Sequence, residues 1–502
     1  MQRKTTAIPA CLILLAAILS VPKGIAAPPR QISSATTDDP CLPFSMPAAE
    51  DLFGSSKKVF AHYFYPFPLS VGNKSASDDY YNVNYLNKKG ESGKWSAYGG
   101  FLRQRPLPVD VGPGDKYPLL NMQREVRMAI ARGITGFTFD VLSANGDAHL
   151  QMLLDAAQSV DPRFKILVMP DIAALKSNAE AVVSSITVAA RSPAAYRLGD
   201  GRLVVSAFNA GANSTDWWAS VIAQLKARGI AIAFVPTFLG WKAQAGAFAP
   251  LSYGLSDWGT ATAAASDAMK GDAKAAHDQY GKMFMMPVDS QQYRPKDSIY
   301  WEAGNSSAFR NAWRSSIEGG ADWVQLVTWS DFSESSEIEP YTDATLRTDI
   351  GTGFYDLNAY FAAWFLTGKE PPITHDVLYY FYRREPTDAA ASAQSVPNKI
   401  VNSSPEDDIE LLAFLTSPGE LKIAIDGHAS TLSATAGMTS FKVHTAPGTP
   451  VFTLSRDGSE VFSFPGPVQI FDRSGLPSGV IDMTYWSGSA SKHGLCSLSA
   501  RP

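Results

Sequence analysis

A chain of 502 residues with a net charge of −5 and 45% hydrophobic residues has enough apolar material for a large domain plus a smaller one. The mild acidic balance and the absence of basic runs argue against nucleic acid and anionic membranes as partners. With no CxxC motif and seven scattered histidines, no zinc signature is present, and neither a metal nor a cofactor is expected.

At the N-terminus, Arg3 and Lys4 precede an apolar stretch over residues 7–21 and the small residues Gly24, Ala26 and Ala27. This is the order of a secretory signal peptide, with cleavage expected near Ala26, because a cut after Ala27 would leave Pro28 at the new terminus. The stretch is too short for a membrane span, and no later run reaches roughly 18 apolar residues. Residues 1–26 are therefore read as signal peptide, 27–56 as a lead segment, and the mature protein as secreted. Cys11 leaves with the signal, so Cys41 and Cys496 remain. In an oxidising compartment such a pair more often bridges than stays free, with two inert buried thiols as the other reading. Asn73, Asn213, Asn305 and Asn402 head glycosylation tripeptides that a eukaryotic host could use, although such tripeptides also arise by chance.

From residue 57 onward, short apolar runs alternate with amphipathic ones. The strand-like runs are 57–65, 133–140, 164–171, 202–209, 230–237, 251–258, 282–289 and 323–331. Helix-like stretches lie at 121–132, 147–159, 174–190, 214–228, 260–280 and 307–318. Nearly all-apolar strands alternating with helices imply a parallel sheet buried on both faces. Eight such units over 57–370 fit a closed (β/α)8 TIM barrel. An open doubly wound sheet is disfavoured, because neither GxGxxG nor GxxxxGK[ST] occurs. Residues 66–118 interrupt the first unit with a Tyr-, Asn-, Gly- and Pro-rich insertion where a short connection is expected. Its aromatics Tyr80, Tyr81, Tyr85, Trp95 and Tyr98 are read as a wall of sugar subsites. After Gly368 the texture changes to strand alternation, with Asp457-Gly458 as a strong hairpin signal. Residues 371–502 are read as a C-terminal β-sandwich domain.

In a barrel, the C-terminal strand ends form the active face. Here they carry His62 and Tyr63, Asp140, Asp171, Asn209, Thr237, Asp257 with Trp258, Asp289, and finally Trp329, Asp331 and Glu334. Any one of these acids could merely cap the next helix. As a set, carboxylates and aromatics on one face suit glycoside hydrolysis, in which one carboxyl protonates the leaving oxygen while a second activates water or attacks the sugar. Trp258, Trp301 and Trp329 could offer rings to sugar faces, though large aromatics are as often core. The acidic run 331–339 lacks the glycine of a calcium loop, and no GxSxG elbow appears.

The segment Thr328-Trp329-Ser330-Asp331-Phe332-Ser333-Glu334-Ser335 resembles the Thr-Trp-Asn-Asp-Tyr-Gly-Glu-Ser segment of glycoside hydrolase family 71, the α-1,3-glucanases or mutanases. The resemblance extends over roughly 57–445 through "VFAHYF", "ITGFTFD", "MMPV" and "LLAFLTSPG". It implies that Asp331 and Glu334 are the catalytic pair of an inverting hydrolase. Ser330, Phe332 and Ser333 depart from the family's Asn, Tyr and Gly, and Ser336-Glu337 from its His-Tyr.

The expected function is a secreted, endo-acting, monomeric α-1,3-glucanase with a polysaccharide substrate. Catalysis is assigned to Asp331 and Glu334, and substrate binding to His62, Tyr63, Asp140, Asp171, Asp257, Trp258, Trp301 and Trp329. Like charges near Glu334 would make it the acid and leave Asp331 as the base. Two other readings stay open: a hydrolase of another α-glucan or of mannan using the same pair, and a non-catalytic glycan-binding barrel.

Overall fold

Eight short runs dominated by Val, Ile, Leu, Phe, Met and Ala form a closed parallel barrel in the computed structural model. The structure describes residues 39–496 apart from 67–69, 76, 112–113, 115, 145–146 and 344–349, so the expected signal peptide lies outside the described residues. The strands are β1 (Lys58–Tyr63), β2 (Gly136–Val141), β3 (Lys165–Pro170), β4 (Leu203–Ala207), β5 (Ile232–Phe238), β6 (Gly254–Asp257), β7 (Met283–Asp289) and β8 (Trp323–Val327). They pair in sequence order, and β1 closes the ring against both β2 and β8. Every residue of β2 and β8 is buried, as a sheet covered on one face and packed inside on the other requires.

Helices α1 (Tyr117–Ile130), α2 (Asp147–Val160), α3 (Ala179–Ala190), α4 (Thr215–Ala227), α5 (Asp272–Tyr280), α6 (Ser307–Glu318) and α7 (Gly353–Thr367) alternate with the strands. Their starts carry local signals: Asn178 accepts from the Ala181 amide at 3.1 Å to cap α3, and Ser214 accepts from Trp217 at 3.2 Å to cap α4. Helix α1 turns Met122, Val126 and Ala129 inward, the spacing of an apolar stripe. Helix α7 is buried on nearly all sides, because its outer face meets the C-terminal sheets through Phe354–Phe381 at 5.1 Å and Tyr360–Phe414 at 4.9 Å.

Two antiparallel sheets follow. One runs Gly437–His444, Asp408–Leu415, Val377–Tyr382, Trp486–Ser491, Gly494–Leu495, and the other His428–Ala434, Gly419–Ile425, Val451–Arg456, Ser459–Pro465. Their facing sides share a core in which Tyr380 stacks on Phe452 at 5.7 Å. The expected hairpin forms: Arg456 pairs with Ser459, and Asp457 and Gly458 both take positive φ, 49° and 75°, as a type I′ turn demands. Cys41 and Cys496 are disulfide-bonded with Cα atoms 5.6 Å apart, tying the lead segment to the last sheet.

Packing corrects one expectation and qualifies another. Asn305 is fully buried and donates its side-chain amide to Phe381 and Asp408 carbonyls at 2.9 and 2.8 Å, so it is closed to glycosylation. The aromatics of the 66–118 insertion pack mainly on each other, with Tyr80–Tyr85 at 5.2 Å and Trp95–Phe101 at 4.9 Å, while Tyr81 is buried. The insertion's strand Gln104–Pro106 pairs with Tyr341–Asp343, just beyond the β8 turn. These contacts tie the insertion into the fold, while Tyr80 keeps 56% of its surface exposed. Among the described residues, no helix is long and apolar enough to cross a membrane.

Candidate active site

The chain leaves β8 and doubles back within ten residues. The Trp329 amide donates to the His62 carbonyl at 2.8 Å, prolonging the β1–β8 ladder, while Thr328 and Ser336 close the loop at 2.9 Å. This turn leaves Asp331 buried but for 6% of its surface. Its Oδ1 accepts from the Ser333 amide at 2.9 Å, the Ser333 hydroxyl at 2.7 Å and the Glu334 amide at 3.2 Å. Among the described residues, Oδ2 has no such donor. Burial, then the charge of Glu334, push the Asp331 carboxyl up to about 7. Both are expected effects of desolvation and like charge.

Glu334, three residues on, meets a different environment. The hairpin of Gln292–Arg294 and Ile299–Trp301 lies against it. Arg294 Nη2 is 2.9 Å from Glu334 Oε1, and Gln292 Nε2 donates to Oε2 at 2.7 Å. The Tyr293 amide donates to the Glu334 carbonyl at 2.8 Å. The like-charge surroundings expected for Glu334 are thus answered by a cation that sequence reasoning missed; 40 residues separate the two and nothing local links them.

The strand ends of β1, β2 and β6 add a polar face. His62 Nε2 lies 3.5 Å from Asp140 Oδ2, and the Trp258 ring meets His62 edge-on at 4.8 Å. Burial, then Asp140, raise the carboxyl of Asp171, and Asp331 feels the charges of Lys296 and His62. Burial also raises Asp257 and holds Asp289 well above the carboxylate range, with Asp257 and Glu334 adding to it. These mutual effects link His62, Asp140, Asp171, Asp331, Glu334, Asp289 and Asp257 in one electrostatic neighbourhood. His62 Nδ1, Asp140 Oδ1 and Asp289 Oδ2 are buried with no hydrogen-bond partner among the described residues. Buried polar atoms are rarely left so, and ligand hydroxyls would satisfy them. Asp171 and Asp257 also hold neighbouring turns, accepting from the Ala174 amide at 2.9 Å and the Gly240 amide at 2.8 Å.

Other expected site residues are enclosed by packing or already hold protein partners. Tyr63 and Trp329 are fully buried. Tyr63 packs on Phe137 at 5.1 Å, and Trp329 sits between Phe137 at 5.1 Å and Tyr355 at 6.3 Å. Both are core, because residues 137 and 355 close over them, and neither can offer a face to a sugar. Thr237 is buried against Ser206 at 3.1 Å. Trp301 is half-buried and carries the Arg294 guanidinium 5.1 Å from its ring centre.

Beneath the turn lies a second group of acids. Burial raises Glu125 to about 7 and holds Glu337 and Glu339 well above the usual range. Glu125 is an acid on the inward stripe of α1, between Met122 and Val126, a pattern visible in the sequence. Among the described residues, no group of three His, Cys, Asp or Glu could hold a metal ion. A cavity of about 520 Å³ lies on the C-terminal sheets, lined by Asp388, His444, Phe471 and Arg473 among others. It contains none of the barrel acids.

The chain is similar to two curated fission-yeast proteins. It is 27% identical to the glucan endo-1,3-alpha-glucosidase agn1 of Schizosaccharomyces pombe, over 71% of this chain and 88% of that one. It is 22% identical to the ascus wall endo-1,3-alpha-glucanase of the same yeast, over 72% of this chain and 91% of that one. Among solved structures, an endo-alpha-mannosidase of family GH99 from Bacteroides thetaiotaomicron superposes with a TM-score of 0.46 at 15% identity, covering 61% of this chain and 97% of that one. The model of glycosyl hydrolase family 71 matches residues 111–499, and the chain belongs to that family of glycoside hydrolases.

Proposed function

We propose that this glycoside hydrolase is a secreted, endo-acting α-1,3-glucanase that inverts the anomeric centre with Asp331 and Glu334. One observation carries the reading: two carboxyls three residues apart at the barrel mouth stand in opposite surroundings. Asp331 is desolvated and pushed up to about 7, while Glu334 is ion-paired at 2.9 Å. Pairs of acids whose environments differ in this way divide into proton donor and base. The roles expected from like charge alone are therefore exchanged. Asp331, with Oδ2 free of protein donors, protonates the glycosidic oxygen, and Glu334 takes a proton from the water that attacks C1 from the opposite face. The C–O bond to the leaving sugar breaks as the water oxygen bonds to C1, and the net change is hydrolysis. His62, Asp140, Asp171, Asp257, Asp289 and Trp258 are proposed to hold the sugar hydroxyls and ring.

The α-1,3-linkage is supported by the similarity to the two yeast endo-1,3-alpha-glucanases. The departures from the family segment do not favour another glycan. Ser330 bonds the Phe64 backbone at 3.1 Å, Ser333 bonds Asp331 at 2.7 Å and Phe332 is fully buried, so none of the three is left to contact substrate. Export is supported by the N-terminal leader pattern and the disulfide. Incubation with insoluble α-1,3-glucan, dextran, starch and α-mannan, followed by reducing-end assay and NMR of the first product anomers, tests the reading. Turnover of α-1,3-glucan with β-anomers formed first is expected. Preference for another polymer, retained anomers, or binding without turnover would each overturn a stated part of it.

A further inference from the structure

We infer that Arg294 is a positioning residue for Glu334, and that the hairpin carrying it is a clamp built for the proposed hydrolysis, on which this inference rests. Three contacts converge on Glu334, and a fourth supports one of them from behind. The guanidinium holds Oε1 at 2.9 Å, the Gln292 amide holds Oε2 at 2.7 Å, the Tyr293 amide holds the Glu334 carbonyl at 2.8 Å, and Trp301 supports the guanidinium from 5.1 Å. Three successive residues of one strand thus grip the backbone and both carboxylate oxygens of Glu334.

The arrangement has a physical reason. Glu334 stands near Asp331 and Asp289, which would repel its charge and swing its flexible side chain away. A planar guanidinium resting on an aromatic ring is pre-organised and loses little freedom in holding a carboxylate. Each carboxylate oxygen keeps a second lone pair, so both can be held while one accepts a proton. The hairpin is itself fixed from behind: Arg103 donates to the Tyr293 hydroxyl at 3.3 Å, and Tyr293 donates to the Ile481 carbonyl at 3.2 Å. Arg294 therefore acts through Glu334 and needs no contact with the reacting atoms.

Three variants and one added reagent test this. R294A should fold normally and lose roughly 100-fold in kcat with a smaller change in KM, the scale of a misplaced catalytic group. R294K should fall between it and the wild type. Guanidinium in solution, well below denaturing concentrations, should restore part of the R294A rate and leave E334Q unchanged. An activity-independent reading comes from the 15N resonance of Arg294 Nε, assigned by its loss in R294K, which should shift in E334Q. An undiminished R294A, a loss that guanidinium does not restore, or an unmoved Arg294 resonance in E334Q would each overturn the inference. If the wild type cleaves none of the glycans, the functional reading fails and the resonance alone decides whether Arg294 holds Glu334.

Discussion

Asp331 shows how much of a site depends on enclosure. Its raised pKa, about 7, has burial as its first cause and Glu334 as its second. The sign follows from linkage: a carboxyl that binds its proton more tightly folded than unfolded lowers stability as pH rises from the unfolded value near 4 to the folded one near 7. Above pH 7 the full penalty is present, and below pH 4 it is absent. Asp331→Asn should therefore be more stable than the wild type by about 1–3 kcal/mol at pH 8 and equal to it near pH 4. Urea unfolding at both pH values checks this, and a variant less stable at pH 8 would contradict it. Asp331 and Glu334 stand out as candidates in the sequence because their spacing and their place after a buried strand are local. Trp329 was misread for the converse reason. A tryptophan beside catalytic acids looks like a sugar platform until Phe137 and Tyr355, both distant in sequence, are seen to enclose it.

Among elements, the hairpin 292–301 and the insertion 66–118 matter most, and neither role could be read along the chain. The hairpin sits between a barrel strand and its helix, where the sequence shows only a loop with Tyr and Trp. The insertion was recognised by its length, yet its function depends on partners far away. Arg103 reaches Tyr293 and the Ile481 carbonyl at 2.9 Å, and Lys296 lies over Phe101 at 5.6 Å. The insertion thus braces the hairpin that grips Glu334. Its own anchor is the fully buried pair Arg105–Asp79 at 2.9 Å, with Ser70 accepting from Arg105 Nε at 2.7 Å. Removing one partner of a buried pair leaves an uncompensated charge at a cost of about 3–5 kcal/mol. Arg105→Ala should lose stability on that scale and expose residues 77–101 to protease while α-glucanase activity falls. A variant with wild-type stability and cleavage pattern would show that the insertion is not braced in this way.

At the scale of the whole molecule, the barrel was the most legible feature. Eight apolar runs with helical stretches between them leave few topologies, and every run became the expected strand to within a few residues. The C-terminal sheets were legible through alternation and one Asp-Gly turn, but their docking on α7 depends on aromatic pairs that no single segment announces. Closure of the ring is what turns dispersed sequence into chemistry, bringing residues 62, 140, 171, 257, 289, 331 and 334 to one end. The disulfide between Cys41 and Cys496 spans 455 residues of sequence, so the lead segment is held to the five-stranded sheet. In the proposed reaction Asp331 and Glu334 cleave the glycosidic bond, with Asp331 as proton donor. Initial rates of wild type, Asp331→Asn and Glu334→Gln, on α-1,3-glucan and on an α-1,3-linked oligoglucosyl fluoride whose leaving group needs no protonation, test it most directly. Both variants should lose at least about two orders of magnitude on the glucan, and Asp331→Asn alone should regain rate on the fluoride. A fully active Asp331→Asn on the glucan, or recovery on the fluoride by Glu334→Gln instead, would contradict this assignment of roles.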